Sequence, residues 1–264
     1  MMSSIQILLY TLSFLLMLGL PIALAVYIQR RWQPGWALWG IGALTCVVVQ
    51  VLTVPLYQIV VSGLGFSDLS AINTIGSLLF LALFSGLLAG LLAEPARYLV
   101  YRFGATTARD WRQGLMLGAG YGGLLAIWLA LLTGFNLAVL LADQWSWLRP
   151  ILSPDMITAA YFAYEVRLPL AQQAALVGPV GQLFYLSLHL AASLLVLQLF
   201  LRGQWHWLLA AIGWHALLVG ITTFTRLQWG ASLNVVVMIL FTLGNVAIIW
   251  QLCRQPVPVT AVQT

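Results

Sequence analysis

Glu94 and Arg97 are the first residues in this sequence whose types and spacing suggest chemistry. They lie three apart in Leu91-Leu92-Ala93-Glu94-Pro95-Ala96-Arg97-Tyr98, within an apolar run. On a helix they share a face and can pair. An ionised side chain in mid-membrane costs about 2.5–3.5 kcal/mol on insertion scales, so such residues are candidates for function. Pro95 frees the carbonyl of Leu91, placing a backbone acceptor near the pair. The structural alternative is an intrahelical ion pair close to a membrane boundary, with Arg97 reaching toward Arg102.

Two histidines extend the set. Gln182, Tyr185, His189 and Ser193 fall at i, i+3, i+7 and i+11, a polar stripe on an otherwise apolar helix. His215 lies on the following span with Thr222 two turns on, and Asn234, Thr242 and Asn245 share a face of the last. A single membrane histidine is commonly a packing hydrogen-bonder, whereas two on adjacent helices with a carboxylate on a third suggest a site. Counted at about 1.5 Å per residue, Glu94, Tyr121, His189 and His215 can meet in one layer. The run Gly118-Ala119-Gly120-Tyr121-Gly122-Gly123 contains a formal G-x-G-x-x-G, but no strand precedes it, so a dinucleotide site is not expected. Gly114/Gly118, Gly118/Gly122 and Gly86/Gly90 read as small-residue pairs for close helix packing. They lead us to expect spans three and four side by side, with Tyr121 near Glu94.

These residues need a scaffold, and the composition says which. The 264 residues are 62% hydrophobic and 6% charged, with a mean hydropathy of +0.99. A soluble domain carries about 25% charged residues. The chain therefore reads as an all-α, polytopic membrane helix bundle forming one domain over 1–264. Spans of about 20 apolar residues fall at 4–28, 36–62, 72–101, 114–142, 177–201, 206–225 and 230–252. The first is a retained helix rather than a signal peptide, because no positive segment precedes it and Arg30-Arg31 follows it. With Arg30 and Arg31 in the cytoplasm, that side also receives Arg102, Arg109, Arg112, Arg202 and Arg254, which sets the N-terminus outside and the C-terminus inside. Segment 143–176 is the long outer connection. It is expected to hold a short helix lying on the membrane or capping the bundle. The longest basic run is Arg30-Arg31, so nucleic acid is excluded as a partner. Cys46 and Cys253 define neither a disulfide framework nor a metal motif.

Taken together, Ala93-Glu94-Pro95-Ala96-Arg97-Tyr98, Gly118-Ala119-Gly120-Tyr121-Gly122-Gly123-Leu124-Leu125, His189 and His215 resemble the YhfC family of intramembrane proteases. That family is similar to the CAAX-processing (Abi) and PrsW membrane proteases and to the seven-span scaffold subunit of γ-secretase. The resemblance covers roughly 72–225. It implies that Glu94, Arg97, His189 and His215 occupy site positions. Ala93 stands where a first glutamate is expected, Tyr121 where a histidine is expected, and Leu125 where an acidic residue would follow.

Two hydrolytic schemes remain open on this set. In one, Glu94, His189 and His215 are the ligands of a zinc ion, which leaves no intramembrane carboxylate as base. In the other, Glu94 is itself the base, His189 and His215 stabilise the oxyanion, and Tyr121 is a further donor. Either would cut a membrane-embedded or lipid-modified peptide, with membrane lipid as the surrounding partner. Two non-proteolytic alternatives are a seven-span scaffold that keeps the fold, and a haem or proton-relay protein using His189 and His215. The resemblance and the compact chain point to a bacterial cytoplasmic membrane.

Overall fold

The structure is a computed structural model that describes residues 4–66, 74–143, 149–167 and 174–254. No strand occurs among them. The helices are α1 (Ser4–Trp32), α2 (Trp36–Gly63), α3 (Ile75–Leu99), α4 (Trp111–Asp143), α5 (Pro154–Arg167), α6 (Ala174–Arg202) and α7 (His206–Arg254). Six of them, all but α5, are long and apolar enough to cross a membrane.

α7 is two crossings. Its 49 residues would reach about 70 Å if straight, against a hydrocarbon core of about 30 Å. Gly230 interrupts it with φ 77° and ψ −171°, a region essentially reserved for glycine. Trp214 Nε1 donates to Asn245 Oδ1 at 2.8 Å, across 31 residues. Thr225 Oγ1 donates to Asn234 Oδ1 at 2.8 Å. Both pairs straddle Gly230, so the limbs 206–229 and 231–254 fold back on each other. This completes the seven spans expected from the sequence. Gly230→Ala places a Cβ in the forbidden region and is expected to cost about 1–3 kcal/mol, read as a lowered midpoint of thermal unfolding.

One face of the bundle gathers the arginine-bearing ends. Trp32 meets Trp111 edge-on at 5.0 Å, and Arg109 lies over Phe200 at 4.7 Å. Ile28, Tyr101, Leu201, Leu208 and Leu252 share one buried cluster there. We call this the arginine-rich face and the opposite one the N-terminal face. α3 leaves α-geometry in a π-turn at Val100–Gly104, and Arg109 ties the following loop down by donating to the carbonyls of Tyr101, Ala105 and Ala108. At the N-terminal face, α5 packs Ala160 into a cluster with Tyr10, Leu137 and Leu140. Of the connection 143–176, residues 144–148 and 168–173 lie outside the described residues.

The glycines choose different neighbours from those expected. α3 does not lie along α4; it lies along α7. A Cβ on Gly86 would collide with the Ala216 carbonyl oxygen, and one on Gly90 would meet the Ile212 carbonyl oxygen at 2.6 Å. α4 turns Gly118 and Gly122 to His189 of α6, and Gly120 to Trp39 of α2. Small residues license backbone approach without naming a partner. On α3, Leu83, Leu87 and Leu91 are exposed on one face, while Gly86, Gly90, Glu94 and Arg97 are buried on the other.

Candidate functional site

The buried face of α3 delivers Glu94 and Arg97 into the bundle, both wholly shielded. Arg97 Nη1 donates to Glu94 Oε2 within the helix. The other carboxylate oxygen, Oε1, lies 2.6 Å from His215 Nδ1, which the close α3–α7 approach at Gly86 and Gly90 makes possible. Arg97 Nη2 then faces His189 Nδ1 of α6 at 3.3 Å. The guanidinium carbon lies 4.9 Å from the centre of the Tyr121 ring, a cation–π distance. Tyr121 and His189 pack with ring centroids 4.3 Å apart, and His189 meets His215 edge-on at 5.4 Å.

All five residues singled out in the sequence, Glu94, Arg97, Tyr121, His189 and His215, therefore form one buried cluster contributed by α3, α4, α6 and α7. Tyr121 reaches it although α3 and α4 are not close neighbours, because Arg97 and His189 bridge the gap.

Tautomers follow from what each partner can do. A guanidinium has no acceptor, so His189 Nδ1 accepts from Arg97 and carries its proton on Nε2. An ionised carboxylate only accepts, so His215 Nδ1 donates to Glu94, and in the neutral ring Nε2 is the acceptor. As neutral rings the two imidazoles thus differ at Nε2, a donor on His189 and an acceptor on His215.

A second layer braces α6 beneath the cluster. Ser193 Oγ donates to the Gly114 carbonyl at 2.8 Å, which commits its proton. Tyr101 OH therefore donates to Ser193, with Oγ at 2.8 Å and the carbonyl at 3.2 Å. Sequence reasoning put Ser193 on the polar stripe but missed Tyr101, whose position past the end of α3 reads as interfacial. It also missed Cys46, which is buried with Val49, Ala93 and Tyr121 in the cluster's wall and looks like any small apolar residue in the sequence.

The donor set has the right chemistry for zinc, since a carboxylate and two imidazoles make up several three-ligand sites. Its geometry does not fit. The Arg97 guanidinium stands between Glu94 and His189, and among the described residues no three His, Cys, Asp or Glu side chains converge on a point that could hold an ion. His189 and His215 also touch directly, leaving no slot for a porphyrin between their rings.

Comparison with known proteins gives a consistent answer. The family described as YhfC intramembrane metalloprotease matches residues 16–241. The chain is 26% identical over 230 residues to a Bacillus subtilis (strain 168) protein described as "Uncharacterized membrane protein YhfC", covering 85% of this chain and 88% of that one. No solved structure gives a significant match.

Proposed function

The chain belongs to the YhfC intramembrane metalloprotease family, and on that footing we propose that it hydrolyses a peptide bond within the membrane at the Glu94 cluster. The observation that carries this reading is Glu94 itself, held between Arg97 and His215 on the buried side of α3. Both carboxylate oxygens are engaged, so the proton acceptor is His215 Nε2, with Glu94 orienting the ring. A water that loses its proton to Nε2 attacks the substrate carbonyl. Glu94 stabilises the imidazolium that results, as the buried aspartate does in serine hydrolases. The Nε2–H of His189 is the donor available to the oxyanion. His215 then returns its proton to the leaving amide nitrogen, which breaks the C–N bond. Arg97 holds both units in register and balances the buried charge.

The substrate class is a membrane-embedded or lipid-modified peptide, because the cluster is buried among helices long and apolar enough to cross a membrane. Glu94 lies about 12 Å along α3 from Arg102. Cleavage would thus fall in the arginine-rich half, on the cytoplasmic side by the positive-inside rule.

The test is cleavage of labelled single-span peptides by the purified chain in vesicles. The intact chain is expected to cut within the span and His215→Ala to cut nothing above background. Equal rates for the two would remove His215 from the reaction. An intact, folded chain that cuts none of the peptides would make the protein a scaffold.

The metal is tested separately. A resident zinc at a hundredfold excess over its dissociation constant would add about 2.7 kcal/mol, or about 5–10 °C in a chain of this size. Since Arg97 already neutralises Glu94, we expect 1,10-phenanthroline to move the thermal midpoint by less than about 2 °C. A loss of several degrees would show that an ion holds these helices after all.

A further inference from the structure

A cavity of about 270 Å³ opens among α1, α4, α6 and α7 on the side of the N-terminal face. Its lining is mixed: Met17, Leu129 and Met238 contribute apolar surface, and Tyr10, Ser13, Gln182, Tyr185, Arg226 and Asn234 set polar groups among them. Two of these carry buried atoms that no protein group satisfies, the Tyr10 hydroxyl and Gln182 Oε1. Tyr10 is 6% exposed and Gln182 1%. Gln182 Nε2 is fixed on the Ala126 carbonyl at 3.1 Å, which anchors the amide. Buried polar groups of this kind are satisfied by water where the space is polar and roomy enough. The volume has room for about nine water molecules at about 30 Å³ each.

The cavity is continuous in residue type with the Glu94 cluster. On α6, Gln182 and Tyr185 line the cavity, and His189 follows on the same face, about 10 Å deeper than Gln182. On α7, Arg226 lines the cavity, while Thr222 and His215 sit four and eleven residues before it, again on one face. The two stripes meet at both ends, at the cavity and where His189 touches His215. The neighbouring faces of the same helices carry Phe184, Leu188 and Leu218 in an apolar cluster. One line of polar side chains thus joins the cavity to the cluster, while Ser187, which accepts from Asn245 Nδ2 at 3.1 Å, lies off it.

We propose that this cavity admits the second substrate of the hydrolysis, water, from the N-terminal face, and that the Gln182–Tyr185–His189 and Arg226–Thr222–His215 stripes conduct it to the cluster. The proposal rests on the hydrolytic reading above. It means that peptide is cut in the arginine-rich half while water enters from the opposite side.

Thiol labelling in sealed vesicles tests this without any peptide. In a full-length background carrying Cys46→Ala and Cys253→Ala, Ser13→Cys reports on the cavity, Thr222→Cys on the stripe, and Leu188→Cys on the apolar face beside it. Thr133→Cys, on the α4 wall of the cavity, replaces Ser13→Cys should that variant misfold. The probe is sulfonatoethyl methanethiosulfonate, which is charged and membrane-impermeant, added from one side at a time. Only a hydrated thiol ionises to the reactive thiolate. Ser13→Cys and Thr222→Cys are therefore expected to react at least about tenfold faster than Leu188→Cys, and only from the N-terminal side. Reaction at Ser13→Cys without reaction at Thr222→Cys would overturn the proposal by making the cavity blind. So would labelling of Thr222→Cys from the arginine-rich side alone. A chain that labels as expected yet cleaves no peptide would instead overturn the hydrolytic reading and leave the route standing.

Discussion

Glu94→Gln is expected to lower peptide cleavage by about 10³–10⁴-fold while leaving the bundle folded. An amide in place of the carboxylate can still sit between Arg97 and His215, but it cannot stabilise an imidazolium, and loss of that charge in a comparable dyad costs about 10⁴ in kcat. His215→Ala should fall to the same floor. The double variant should be no worse than either single, because residues acting as one unit are not additive. Stability separates a catalytic from a purely structural role. Glu94→Ala strands the wholly buried Arg97 guanidinium and is expected to destabilise by about 3–5 kcal/mol, whereas adding Arg97→Met should recover much of that loss. Cleavage should not return in the double variant, since His215 has lost its orienting partner. The paired measurement is thermal unfolding alongside single-turnover cleavage. Activity restored together with stability would assign Glu94 to packing alone.

The second large effect is expected at Gly118. A Cβ there would lie 2.7 Å from the His189 carbonyl oxygen and 2.9 Å from Leu190 Cα. These are backbone atoms, so α6 must move away from α4 as a body. Gly118→Ala should cost about 1–3 kcal/mol from overpacking. It should also slow cleavage about 100-fold, because a displacement near 1 Å at the reacting groups is enough for that. Gly213→Ala is the matched control: nothing lies within 4 Å of its Cβ position, so stability should hold or rise by up to about 1 kcal/mol. Equal responses at the two glycines would mean that helix propensity, not the α4–α6 contact, sets the outcome.

Much of this arrangement was legible in the residues because lipid makes polarity rare. Glu94, Arg97, His189 and His215 stood out as polar side chains in apolar runs, and the depth estimate put Glu94, Tyr121, His189 and His215 within reach of one layer, where the structure has them. The long helices followed from run length, and the break in α7 showed as an interval at 226–229 between two apolar runs, which the backbone resolves into a single glycine, Gly230. Pairwise packing did not follow in the same way. Gly86 and Gly90 read as a contact surface, but a small-residue pair is equally compatible with α4 or α7. The choice depends on Ala216 and Ile212 offering their carbonyls to that groove. Cys46 carried no signal, since a buried thiol and a buried alanine look alike in a hydrophobic run. The cavity at Tyr10 and Gln182 was invisible because it is made where four helices fail to fill a space.

The placement of Arg97 three residues after Glu94 also bears on how the chain enters the membrane. α3 leaves the ribosome long before α6 and α7 exist, so neither histidine is present when it must partition into lipid. A lone carboxylate at that point would resist insertion by about 2.5–3.5 kcal/mol. Because its counter-ion sits on the same helix, α3 can be released into the bilayer as an electrically neutral segment. The partner that later aligns the cluster thus first serves as an escort, and the charge of the site is balanced before the site has been assembled.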